Sequence, residues 1–272
     1  MTRFWRIAAG VGLLLAVIVQ LLPFYIALTT SLKPRTDLSS QWVFPTSGIY
    51  GENFRVAIED GNILRAIGSS ALITVCSTIL ICVLGALAAY PLARRDTLGN
   101  KFVFAGIIGL IMIPPLSILV PVYTLLVQLG GINTYWGAIA LMVATQLPLS
   151  IFLYAAFMRG LPLSIEEAAV VDGAGLLTTL FRVVFPMLKP VTATVIILTS
   201  VSVWNEYAVS VFILRRPDVR TTAPTIATFF ASQASNLGAA AAAALISVVP
   251  VLLAYLLLQR YFIKGMVAGY EK

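Results

Sequence analysis

Residues 159–190 read RGLPLSIEEAAVVDGAGLLTTLFRVVFPMLKP, a segment with charged ends set between two long apolar runs. An antiparallel helix pair needs only a few connecting residues, so roughly thirty imply a built structure. Within it, Ser164-Ile165-Glu166-Glu167 has the capping-box form, in which the Ser164 hydroxyl accepts from the Glu167 amide and the Glu167 carboxylate reaches back to the Ser164 amide. Glu166 and Glu167 also suit the positive end of a helix dipole. Gly173 supplies a left-handed terminating position, so the spacing predicts a helix of roughly eight residues and about 12 Å. A rod that short is unstable alone in water and must lean on something. A second helical stretch from about Leu176 places Leu177, Leu180, Phe181 and Val184 on one stripe and is expected to stop at Pro186. Two uses stay open: a hairpin packed on its own protein, or a docking knob for another.

The flanking runs set the fold class. Of 272 residues, 60% are hydrophobic and 11% charged, against about 45–50% and about 25% in soluble domains. Six runs, at about 7–30, 67–92, 102–127, 136–157, 191–214 and 237–258, are each long enough to cross a hydrocarbon layer. The expectation is an all-α polytopic membrane protein with one transmembrane domain over 1–272. The first run follows Arg3 and Arg6 and exceeds a signal peptide's apolar core, so it reads as an uncleaved span. The connection 31–66, with Asp37, Glu52, Glu59 and Asp60, reads as a solvated loop with room for one short helix.

An even span number puts both termini on one side, and the basic residues choose it. Eleven of the eighteen Lys and Arg fall with the termini and 159–190, and seven fall opposite, so that first side is expected to be cytoplasmic. The Arg215, Arg216 and Arg220 cluster runs against this trend. Pro114, Pro115, Pro121, Pro148 and Pro250 lie inside the runs and are expected to kink them. Gly238 followed by Ala239–Ala244 gives the sixth run a small-sided surface that permits close helix approach.

The same composition excludes most hydrolase chemistry. Histidine is absent, which removes Ser-His-Asp triads and His-ligated zinc. Cys76 and Cys82 lie in one apolar run and build neither a disulfide framework nor a four-ligand metal site. The charge of +7 is spread between runs, not gathered into a nucleic-acid-binding arm. No Gly-x4-Gly-Lys-Ser/Thr phosphate loop is present, so ATP chemistry would need a partner. Inside the runs Glu206 is the one acid, and burying it at mid-membrane costs on the order of 3 kcal/mol. With Asn205 and Tyr207 it forms a small polar cluster that either ties helices together or borders a path.

Glu167-Ala168-Ala169, Gly173, and Val183, Phe185 and Pro186 resemble, in spacing throughout, the EAA signature of bacterial ABC importer permeases. Ser31-Leu32-Lys33-Pro34, Ala88-Ala89-Tyr90-Pro91-Leu92-Ala93-Arg94, Asn133-Thr134-Tyr135-Trp136-Gly137, Trp204-Asn205-Glu206 and Lys264-Gly265-Met266-Val267-Ala268-Gly269 extend the resemblance to the carbohydrate-uptake branch, the family of the maltose permeases. It implies an ABC type I importer permease fold with 159–190 as a cytoplasmic coupling loop. Glu166, Glu167, Ala168, Ala169, Asp172, Gly173 and Pro186 would meet the ATPase, and Glu167 would keep acceptor capacity for an ATPase arginine. Trp204, Asn205, Glu206 and Tyr207, with Gln146 and Tyr123, become candidates for the translocation path, where hydroxyls need polar groups and an aromatic face. The implied partners are a second permease subunit in a heterodimer, an ABC ATPase dimer, an extracytoplasmic substrate-binding protein, a carbohydrate and the lipid bilayer. The chain would bind no cofactor, ATP and Mg residing on the ATPase, and would lie in the bacterial inner membrane with both termini cytoplasmic. Rival readings are an ABC permease for a polyamine or amino acid, and a secondary transporter, which predicts an inverted repeat or charged pathway pairs.

Overall fold

A computed structural model of the chain describes residues 3–37, 39–45, 48–231 and 236–267, whose regular structure is all helix with no strand among them. Ala268 and Gly269 of the tail motif, and Lys272, lie outside the described residues. Four helices are long and apolar enough to cross a membrane singly: α1 (Arg3–Ser31), α3 (Ile63–Arg94), α6 (Tyr135–Arg159) and α12 (Leu237–Val267). Two more candidate spans are bent pairs. The first joins α4 (Leu98–Ile111) to α5 (Pro115–Gln128) across a 100° break, and the second joins α8 (Leu176–Met187) to α9 (Lys189–Trp204) across 73°. Shorter helices are α2 (Glu52–Glu59), α7 (Ser164–Val171), α10 (Ser210–Ile213) and α11 (Thr222–Ala231).

The expected spans are corrected at two places. The third run, 102–127, is broken where Pro114 and Pro115 withhold two backbone donors, and its two halves form separate helices. Pro148 and Pro250, by contrast, sit inside continuous helices. The fifth run, 191–214, stops being helical at Trp204. Sixteen residues make about 24 Å, short of the about 30 Å hydrocarbon layer, which leaves the span needing its bent neighbour.

By its contacts the chain divides into Met1–Ile67 with Thr222–Leu253, and Gly68–Thr221 with Ala254–Lys272. In the first unit every residue from 7 to 20 of α1 is exposed, as expected of a helix that is apolar all round and solvated by lipid. Its end is pinned by the Ser-Leu-Lys-Pro stretch. The buried Asn53 amide donates to Ser31 O at 2.9 Å and Lys33 O at 2.8 Å, and buried Lys33 Nζ donates to Ser40 O at 2.7 Å. Gly238 lies against Asn53, where an added Cβ would fall 2.4 Å from Asn53 Nδ2. Ala239, Ala240, Ala242 and Ala243 are buried against Ala57, Ile63, Ala66 and Phe229, the close approach the small-residue run permits.

In the second unit α6 is the central helix. Its first half buries Ala138, Leu141 and Met142 with Ile73, Leu126, Val203 and Ile213. Its second half buries Ile151, Tyr154, Ala155 and Met158 with Ile81 and Ala89 of α3, Leu180 and Val184 of α8, and Val191 and Val195 of α9. Inter-helix hydrogen bonds fix the register: Ser150 Oγ donates to Ile81 O at 3.2 Å, and Tyr154 Oη to Thr192 Oγ1 at 3.0 Å. The start of α6 is set by the Asn-Thr-Tyr-Trp-Gly stretch. Thr134 accepts from the Gly137 amide, a standard N-cap, and Asn133 Oδ1 accepts from the Arg215 and Arg216 amides at 2.7 and 3.0 Å.

Candidate functional site

The 159–190 segment contains the short rod that its sequence predicts. Helix α7 runs Ser164–Val171, and Gly173 follows at φ +84°, in the left-handed region that ends helices cheaply only with glycine. The capping box does not form. The helix begins one residue earlier than the box requires, so the Glu166 and Glu167 amides both donate to Leu163 O, at 2.9 and 3.0 Å, and Ser164 makes no cap. A local backbone acceptor thus replaces the side-chain cap.

The Glu167 carboxylate is left exposed, and it is the neighbouring Glu166 that the fold uses. Its side chain is 9% exposed and meets Arg94, 12% exposed, at the end of α3. Arg94 Nε donates to Oε1 at 2.8 Å, with Nη2 2.5 Å from the same oxygen. The Tyr90 hydroxyl donates to Oε2 at 2.9 Å, so both carboxylate oxygens are held. Tyr90 and Arg94 are four apart and share one face of α3. Arg94 Nη1 also reaches Leu161 O at 3.4 Å, and Arg159 Nη2 donates to Leu92 O at 3.2 Å. The rod is thereby attached to a membrane helix at its first turn and at the strand of chain that leads into it.

Helix α8 corrects the expected stripe and its stop. Residues Thr179–Val184 are wound as a π-helix, and the helix passes through Pro186 to Met187. The wider turn lets the chain accept a residue that lacks a donor and whose ring crowds the preceding turn. It also rotates the apolar face: Thr179, Leu180, Val184 and Leu188 are buried, while Leu177 and Phe181 turn outward, Phe181 stacking on Phe185 at 5.2 Å. The other residues singled out in the rod stay accessible. Glu167, Ala168, Asp172 and Pro186 are exposed and Ala169 is half-buried. Around them Leu163, Val170, Val171, Leu176 and Leu177 leave large apolar side chains uncovered, Val171 at 86% exposure.

The residues proposed for a path each make contacts of their own. Trp204 ends α9, and Asn205, Glu206 and Tyr207 lie in the non-helical stretch beyond it. Asn205 Nδ2 donates back to Val201 O at 2.9 Å. Glu206 accepts from the Val209 and Ser210 amides at 2.7 and 2.9 Å and from the Ser210 hydroxyl, capping α10. The single acid in the apolar runs is thus satisfied by its own backbone four residues on, not by a neighbouring helix. Gln146 donates to Ser202 Oγ at 2.6 Å, joining α6 to α9, and the Tyr123 ring lies 6.0 Å from the Arg215 guanidinium. Sequence reasoning missed Tyr90 and Arg94 as site residues, although both stand in a quoted stretch, and it missed Ser202. The available signal for the first two was an unpaired basic residue one turn after a tyrosine at the end of a span.

Residues 81–267 match the family model described as "Binding-protein-dependent transport system inner membrane component". The chain is 44% identical over 263 residues to the melibiose/raffinose/stachyose import permease protein MelC of Bacillus subtilis, covering 95% of each. It is 33% identical to the diacetylchitobiose uptake system permease protein NgcG of Streptomyces coelicolor, covering 95% of this chain and 86% of that one. Its fold matches a chain in the crystal structure of a bacterial ABC transporter involved in the import of the acidic polysaccharide alginate, with TM-score 0.76 and 21% identity over 96% of this chain and 99% of that chain. The likeness extends over nearly the whole length of each, and the multi-pass protein described here therefore belongs to the family of binding-protein-dependent transport system inner membrane components, the ABC importer permeases that its 159–190 segment resembles.

Proposed function

We propose that this protein is the membrane-spanning permease subunit of an ATP-driven importer for a carbohydrate, and that residues 159–190 couple a partner ATPase to the spans. The observation that carries the coupling role is the pairing of a fixed rod with an uncovered apolar surface. Glu166 is tied to Tyr90 and Arg94, so a push on α7 passes to α3 without being absorbed by a slack loop. Leu163, Val170, Val171, Leu176 and Leu177 stand exposed beside it, a patch that in an isolated soluble surface would mark a protein contact. The partner that fits is an ATPase subunit with an apolar cleft, its basic rim facing Glu167 and Asp172. In this reading the segment and both termini are cytoplasmic, a second permease subunit completes the pore, and a binding protein delivers substrate from the other side.

The carbohydrate class is supported by the relatives named for melibiose, raffinose, stachyose and diacetylchitobiose. Permease relatives of this kind make sugar the first solute to test ahead of a polyamine or amino acid. The decisive experiment is ATP hydrolysis by the complex co-purified with the neighbouring gene products, in vesicles, with its binding protein and a panel beginning with melibiose, raffinose and stachyose. Stimulation by one or more sugars is expected. Stimulation by a polyamine or amino acid and by no sugar overturns the carbohydrate reading. Failure of any ATPase to co-purify overturns the coupling role.

A further inference from the structure

We propose that a basic cleft between the end of α3, the start of α4 and the end of α6 binds the phosphodiester headgroup of an anionic phospholipid. The cleft has a volume of about 450 Å³, and its walls carry Arg94, Arg95, Lys101 and Arg159 with Asp96. Two of the four cations are neutralised within the protein. Arg94 is paired with Glu166, and Lys101 Nζ lies 2.9 Å from Asp96, an exposed pair that an incoming anion can open at little cost. Arg95 and Arg159 have no carboxylate within ion-pair distance among the described residues. The cleft therefore keeps an uncompensated charge of about +2, matched to one or two phosphodiesters.

Two of the guanidinium groups, those of Arg94 and Arg159, and the backbone that carries Arg95 are held before any ligand arrives. Arg159 lies 4.2 Å over the Phe104 ring while donating to Leu92 O. The α3–α4 turn that carries Arg95 and Asp96 is closed by Asn100 Nδ2, which donates to Pro91 O at 2.9 Å and Arg95 O at 2.8 Å, and by Thr97, which caps α4. Binding to this site loses little ordering entropy. What distinguishes a lipid from a free anion is the surface continuing from the cleft. Helix α4 starts at the cleft, and on the face that carries Lys101 and Ala105 the exposed apolar side chains of Ile108 and Ile111, with Met112 just beyond the helix end, lead outward along it. A headgroup in the cleft would lay its acyl chains along that apolar face. Only the assignment to the cytoplasmic leaflet rests on the placement of 159–190 given above.

The test uses the full chain purified with its co-assembled subunits in detergent. Phosphatidylglycerol, phosphatidylcholine and glycerol 3-phosphate are titrated, with bound phospholipid and thermal unfolding as readouts. Phosphatidylglycerol should be retained and should raise the unfolding temperature more than phosphatidylcholine, and glycerol 3-phosphate should not displace it. Arg95→Gln and Lys101→Gln, both at exposed positions, should each weaken phosphatidylglycerol binding about fivefold, and Asp96→Asn should strengthen it. Equal effects of the two lipids, displacement by glycerol 3-phosphate, or unchanged lipid binding in both variants overturns the site. Loss of the ATPase from the Arg95→Gln complex at unchanged lipid content assigns the cleft to a protein contact instead. Sugar-stimulated ATP hydrolysis in the same preparations reports separately on the importer reading.

Discussion

Arg94 and Glu166 are 72 positions apart in the chain and meet as a nearly buried ion pair, with Tyr90 holding the carboxylate's other oxygen. The end of a membrane helix and the first turn of the short rod α7 are joined through one carboxylate that two side chains of α3 hold. A carboxylate and a guanidinium this enclosed must stay together, because separating them leaves a desolvated charge with no partner.

Glu166→Ala and Arg94→Ala should each destabilise the protein by about 3–5 kcal/mol, the usual cost of stranding one member of a buried pair. Glu166→Gln should cost less, since it still accepts from Tyr90. The joint replacement Arg94→Leu with Glu166→Leu should recover much of the loss, because no charge remains to be solvated. Thermal unfolding of the purified complex measures all four, and strictly additive effects of the two single changes would show that the residues do not act as a pair. Glu167→Ala, at an exposed position, should leave the unfolding temperature alone while weakening retention of the ATPase on a column.

Gly173 tests the rod's other end. Its φ of +84° lies where a β-branched residue is strained, yet nothing stands within 4 Å of the position a Cβ would take. The penalty of a substitution is therefore one of backbone conformation alone, roughly 1–2 kcal/mol. Gly173→Asn should be tolerated and Gly173→Val should not, although valine would fit the space. The expected outcome for Gly173→Val is normal membrane insertion with transport lost, measured as solute uptake at matched amounts of complex. Uptake at the wild-type rate in Gly173→Val would remove the coupling assignment.

The rod was legible because its termination is written in one glycine, whose backbone requirement survives any tertiary context. Which of two adjacent glutamates would be buried was not legible. Neighbours on a helix point about 100° apart, and only the way α7 lies on α3 decides between Glu166 and Glu167. The end of the fifth span was hidden for a different reason. Residues 208–214, AVSVFIL, are as apolar as the helix before them, and hydropathy does not register that Glu206 turns back onto its own amides. Helix α11 was not anticipated either. Thr222–Ala231 is too short to read as a span, and it takes its place by burying Phe229 beside Ala57 and Ile63.

Topology gives a prediction independent of energetics. Val170, exposed on the rod, should be labelled after Val170→Cys only when the reagent can reach the cytoplasm. The native Cys76 is exposed and Cys82 half-buried, so both are replaced by serine or alanine first. An impermeant maleimide applied to intact cells should leave residue 170 unmodified and should modify it in inverted vesicles. Modification from outside would reverse the orientation and place the segment away from any ATPase.

Glu206 and Asn205 separate a structural role from one in the path. Glu206 takes two backbone amides and one hydroxyl, all within four residues, so its removal leaves Val209 and Ser210 without acceptors. Unsatisfied donors of this kind cost about 1–3 kcal/mol each, and Glu206→Leu should lower the amount of assembled complex. Glu206→Gln keeps an acceptor oxygen but loses the charge, and it should assemble at near-normal levels. Asn205 differs, since its one bond returns to Val201 O on its own helix and its side chain is exposed. Asn205→Ala should therefore fold normally, and if the exposed amide borders the path it should raise the substrate concentration needed for half-maximal uptake. The same measurement on Gln146→Ala and Ser202→Ala, whose side chains bond to each other across α6 and α9, tells whether the polar surface extends along α9. Unchanged uptake kinetics in all three alanine variants, at equal abundance, would move the solute contacts off this subunit.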